Sequence, residues 1–134
     1  MKYEDVEDWP VMQDALELAR LSEEVAKRIA RVRPELAKQI RKSADSVVLN
    51  LREGATEYSP KEKARIYRVS QKESGELIGA FRLLEVLKLA GDDSRAAAVL
   101  ARRIIGQLTG LCHAALKRLA EEELETEPPT DPRP

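Results

Sequence analysis

Apolar residues recur every three to four positions along most of the chain, the period of a helix with one buried face. Val11, Ala15, Leu18, Val25 and Ile29 keep that spacing, and Met12, Leu16, Ala19 and Ala26 widen the stripe. They predict a first helix from about Pro10 to Val32. Pro10 suits its first turn, where a missing N–H has no partner to lose. Trp9, just before it, is expected to pack as an apolar anchor. The Arg33-Pro34 step interrupts the pattern, because a residue before proline avoids the helical region. A second helix is predicted from Pro34 to about Ala55, with Leu36, Ile40, Ala44, Val47, Val48 and Leu51 on its buried face. Gly54 reads as its stop.

Ser59-Pro60-Lys61-Glu62 is the strongest local signal. Ser59 can cap a third helix, Pro60 can take its first position, and Glu62 can reach back to the Ser59 N–H. The helix is expected from Pro60 to about Ala90, burying Ile66, Val69, Leu77, Phe81, Leu84 and Leu87. Gly91 is expected to end it, with Asp92 or Asp93 capping a fourth helix that runs to about Leu124. Ala97, Leu100, Ile104, Leu108, Leu111, Ala115 and Leu119 form a seam of threes and fours. Short joints favour antiparallel neighbours. The expected fold is therefore all-α, an antiparallel up-down-up-down four-helix bundle over residues 1–125. The Pro-rich, acidic stretch 126–134 reads as a disordered tail.

Gly75 and Gly79 are four apart on helix three, as are Gly106 and Gly110 on helix four. A glycine inside a helix costs about 1 kcal/mol relative to alanine. Close approach of another backbone would explain the pairs. That means either a tight crossing of helices three and four or a contact with another subunit.

Composition narrows the classes. The 134 residues include one Cys, one His and 4% aromatics. A lone Cys112 allows no internal disulfide, and the aromatics are too few for a base-stacking platform. No apolar run approaches the ~18 residues of a membrane span. The acidic start lacks the apolar region of a secretory signal, so the expected compartment is the cytoplasm. Net charge is −1, yet residues 33–72 carry ten basic and five acidic groups. That middle segment could meet a polyanion; an ordinary solvated face is the plainer reading.

Chemistry is sparse. His113 is the sole histidine, so no Glu-x-x-His pair on two helices can be built. Cys112-His113 lacks the earlier cysteine of a haem-attachment motif, since position 109 is Thr. Cys112 is expected to pack as a small hydrophobe and His113 to lie partly exposed. Glu53 and Glu57 are four apart but have no partner base or metal-ligand set. The sequence thus points to no enzyme, no cofactor, no metal and no small-molecule substrate. Asn50, Glu53, Gly54, Ser59 and Glu62 are read as a structural corner between helices two and three. There Asn50 would bond the loop or another helix, and Glu53 would accept N–H groups opening helix three.

Several of these residues also form a recognisable set. Gln39 to Ala44, Ser46-Val47, Asn50-Leu51-Arg52-Glu53-Gly54, Ser59 to Glu62 and Glu76-Leu77 stand in order over about residues 36–90. The set resembles the four-helix bundle proteins first named for the 23S rRNA intervening sequences that encode some of them. The Trp9 region is similar to that family's Val-Trp start. Where members often carry Gly-Ser, this chain has Lys72-Glu73. It also resembles, less fully, the accessory variability determinant of diversity-generating retroelements, a strongly basic pentamer that binds reverse transcriptase and nucleic acid. The resemblance implies a compact bundle that assembles as a homopentamer without known catalysis.

Two functions follow as expectations. One is a non-enzymatic homo-oligomeric scaffold, with the glycine pairs at a helix or subunit contact. The other is an RNA-binding or reverse-transcriptase accessory subunit, using Arg41, Lys42 and Arg52 of helix two and Lys61, Lys63, Arg65 and Arg68 of helix three.

Overall fold

The computed structural model describes residues 3–126, and among them every regular element is helical. A 3-10 helix, Tyr3–Asp8, precedes α1 (Pro10–Ile29), α2 (Pro34–Thr56), α3 (Pro60–Leu87) and α4 (Gly91–Thr126). The 3-10 helix was not foreseen; it buries Val6 under α1 and α2. The expected tail lies outside the described residues apart from Thr126.

Three of the four helices open on the proline that predicts them, Pro10, Pro34 and Pro60. Their ends differ from expectation. α1 stops at Ile29 rather than Val32, where Val32 N–H and Arg33 N–H fold back onto the Ile29 carbonyl at 3.0 and 2.7 Å. Gly54 does not stop α2, which continues to Thr56. α3 stops at Leu87 rather than Ala90. Lys88 takes the left-handed conformation (φ 57°), and the Leu89 N–H reaches the Leu84 carbonyl at 3.1 Å, a 6→1 helix-ending bond. Gly91 (φ 63°) opens α4 instead of closing α3, and the Ser94 hydroxyl donates to its carbonyl.

Helices adjacent in sequence pack side by side, and α1 closes the set against α4. Cross-links fix the register. Arg41 pairs with Glu23, and Arg52 with Glu7. Ser70 Oγ donates to the Val47 carbonyl, while Lys63 Nζ donates to those of Gly54 and Ala55. Gln71 Nε2 donates to Thr109 Oγ1 and the Ile105 carbonyl, while the Cys112 thiol faces the Ala64 carbonyl. Arg28 meets Asp93 and the Ala90 carbonyl, and Arg103 meets Asp14. In every pair, numbers rise on one helix as they fall on the other.

The core runs along the axis from Val6, Met12 and Leu18 through Ile29, Ile40 and Leu51 to Phe81, Leu84, Ile104 and Leu108. Trp9 packs half-buried against it, as expected. Leu87 does not join; it is 39% exposed. Tyr67, which periodicity did not select, is only 1% exposed.

Candidate interaction surface

The corner between α2 and α3 is structural. Ser59 Oγ accepts the Glu62 N–H at 3.3 Å, which is half of the expected capping box. The other half differs: Glu57, not Glu62, accepts the Ser59 N–H, and the Glu62 carboxylate is taken by Arg65. Asn50 Nδ2 donates to Ser46 Oγ and to its carbonyl, both at 2.9 Å, one turn back on its own helix rather than to the loop. Glu53 is exposed and does not receive the opening of α3.

Gly54 is required by close approach. A Cβ there would lie 2.7 Å from Tyr67 Cδ1 and 2.8 Å from Cε1. Beside it, Lys63 Nζ binds the Gly54 and Ala55 carbonyls at 2.6 and 3.0 Å and sits 5.7 Å from the Tyr67 ring centroid. It thus satisfies carbonyls that helix geometry leaves open at the end of α2. Burial lowers its pKa, with Arg118 adding repulsion. Gly54→Ala should force the tyrosine ring aside and cost about 1–3 kcal/mol, despite alanine's better helix propensity. Urea denaturation, read as a fall in the midpoint, checks this; an unchanged midpoint would mean that the ring moves freely.

The seven basic residues expected to meet nucleic acid do not share one free face. Arg41 is held by Glu23 at 2.8 Å, which keeps the Glu23 carboxyl below its usual pKa. Arg52 is bound to Glu7, Arg65 to Glu62, and Lys63 turns inward. Lys42, Lys61 and Arg68 are exposed, with no ion pair among the described residues. The basic surface lies instead on α3 and α4. Between residues 61 and 118, eleven Lys and Arg are exposed, of which Arg65, Arg82, Arg103 and Arg118 stand in ion pairs, against two exposed acids, Glu76 and Asp92.

Gly75, Gly79, Gly106 and Gly110 are all exposed on these two helices, and nothing lies within 4 Å of a Cβ built at any of them. They do not mediate a tight α3–α4 crossing. The register Gln71–Thr109 and Ala64–Cys112 explains why: it sets Gly106 and Gly110 level with residues near 68–72, not with Gly75 and Gly79. The glycines thus sit among basic residues, with Leu83 (41% exposed), Val86 (78%) and Val99 (63%) nearby.

Two further features escaped the sequence reading. Asp14 accepts from Arg103 at 2.9 and 3.0 Å and from Gln107 at 2.8 Å, clamping α1 to α4. The Arg103 hydrogen bonds hold the Asp14 carboxyl below its ordinary pKa against the opposing effect of burial. Next to this clamp, Trp9, Pro10, Val11, Gln107, Gly110 and Leu111 line a shallow cleft of about 370 Å³. Cys112 is buried and its thiol pKa is raised by burial; His113 is exposed. Among the described residues, no group of three or more His, Cys, Asp or Glu is placed to hold a metal ion.

An all-α protein of four helices, with exposed cations and glycines along α3 and α4, is the class this fold defines. The chain belongs to the 23S rRNA-intervening sequence protein family, whose profile matches residues 7–110. A comparison with curated proteins returned no match.

Proposed function

We propose that this chain is a non-enzymatic, homo-oligomeric scaffold, an antiparallel up-down-up-down four-helix bundle whose outer face on α3 and α4 is covered by another copy. The opposed numbering of the cross-links supports the arrangement. The observation that carries the assembly is the outward position of all four paired glycines beside exposed Leu83, Val86 and Val99. Four unsupported helix glycines cost a solitary bundle stability without return, whereas a neighbouring backbone can use the space. The resemblance to the intervening-sequence proteins favours five copies, acting in the cytoplasm without cofactor or small-molecule substrate. No described helix is long and apolar enough to cross a membrane.

Light scattering on the full chain at micromolar concentration tests the reading. A mass several times 15.1 kDa is expected, and a mass of one chain rejects it.

The basic excess on α3 and α4 favours a second reading, an RNA-binding or reverse-transcriptase accessory subunit. Phosphate contacts of that kind weaken steeply with salt. Binding of an RNA oligonucleotide that falls several-fold between 50 and 200 mM salt (roughly the range over which such contacts are lost) supports it. No binding at low salt rejects it.

A further inference from the structure

We infer that the C-terminal turns of α4 in one copy dock on the α3–α4 face of a second copy. The inference rests on the scaffold reading and names the contact that would build it.

The first observation is an overhang. The Cys112 thiol faces the Ala64 carbonyl, so Pro60, the first residue of α3, lies level with about residue 116. α4 continues to Thr126, and every residue from Ala120 to Glu125 is exposed. Those exposed turns span roughly 9 Å at 1.5 Å per residue, and α4 as a whole runs roughly 15 Å past the level of Pro60. A helical end of this length gains little in water by itself, because helices in proteins are held chiefly by packing an apolar face. Leu124, 69% exposed, has no such packing among the described residues.

The second observation is charge complementarity. The overhang carries four glutamates; Glu122 pairs with Arg118 and Glu123 has a partner of its own, so Glu121 and Glu125 carry the complementarity. Further back on α3 and α4, Arg68, Lys72 and Arg102 are exposed with no ion pair among the described residues. The observed register sets Lys72 level with Gly106, and Arg68 level with Gly110. Each cation therefore stands across from a position without a side chain, and a visiting helix can approach closely there. Val99 lies one turn from Arg102 on α4, with Leu83 and Val86 three and four turns beyond Lys72 on α3. Leu124 stands one turn from Glu121 and beside Glu125, so it can meet Val99 while those glutamates meet Arg102.

The apolar end favours a protein occupant over a nucleic acid, since a sugar–phosphate backbone offers Leu83, Val86 and Val99 nothing to pack on. A net charge of −1 gives a single chain no overall pull on a polyanion. The contact joins two different patches, so it is heterologous and closes into a ring or continues as a filament according to the rotation it imposes.

Two full-length variants test it by light scattering, with circular dichroism as the check on folding. Glu121→Lys with Glu125→Lys reverses the overhang; Arg68→Glu with Lys72→Glu and Arg102→Glu reverses the face. The unaltered chain should assemble, and each variant alone should fall to single-chain mass. An equimolar mixture should assemble again, because each variant supplies the partner the other lacks. If either reversal unfolds, the corresponding glutamine substitutions take its place and should weaken assembly. Variants that assemble as the unaltered chain does overturn the docking while leaving the scaffold reading intact. An unaltered chain of single-chain mass overturns both. A face variant that stays assembled yet loses salt-sensitive RNA binding assigns the face to nucleic acid and also overturns the docking.

Discussion

Phe81→Ala should destabilise the protein by about 3–5 kcal/mol. Phe81 is the only phenylalanine, and it is fully buried in the C-terminal part of α3. The core it joins is rich in alanine: Ala15, Ala26, Ala97 and Ala101 are all 0% exposed. Such positions bring helix backbones close together and have no longer side chain that can swing into a vacated space. The cavity should therefore persist, which places the cost towards the upper end of the range. Against a total stability of about 5–15 kcal/mol, that loss is large. Equilibrium urea unfolding measures it, and Phe81→Leu, which keeps most of the volume, should lose far less. A loss below about 1 kcal/mol for the alanine variant would show that the helices collapse onto the gap.

Raising the pH should destabilise the protein through Tyr67. Burial pushes the phenol pKa from about 10 up to about 12, and the neighbouring Cys112 adds to the shift. In the unfolded chain the phenol ionises near 10, so between the two values the unfolded state binds fewer protons and is favoured. The stability tied to the neutral phenol is fully present below pH 10 and is lost as the pH rises through about 12. Two pH units correspond to about 3 kcal/mol at the limit. Denaturation midpoints at pH 9 and pH 11 should separate clearly, and Tyr67→Phe should narrow the gap. An equal gap in that variant would assign the alkaline loss to other groups.

The helices were legible because their signals are local. Pro10, Pro34 and Pro60 each open a helix at the predicted residue, and the apolar stripes of α1 and α2 are buried nearly as read. Distant partners were not legible. Gly54 looks like a helix stop, yet what it accommodates is a tyrosine ring thirteen positions later. Arg41 and Arg52 look like a free basic face until the packing of α1 and the 3-10 helix brings up Glu23 and Glu7. Lys63 shares the composition of a surface lysine, but its ammonium turns to the end of α2. Gly91 shows the limit from the other side: its positive φ is what a glycine signal predicts, while the left-handed turn that ends α3 falls on Lys88. The candidate surface moved for the same reason. Ion pairs to Glu23 and Glu7 occupy Arg41 and Arg52 of α2, while Arg68, Lys72 and Arg102 of α3 and α4 stay exposed.

Cys112 gives the molecule a built-in reporter. It is the only thiol, it is 5% exposed, and its sulfur lies between the Ala64 carbonyl and Gln71 Oε1. An alkylating reagent reaches it when α4 lifts away from α3, so the rate of labelling times that opening. The breathing of one helix seam can thus be followed in the unmodified protein, without an introduced probe.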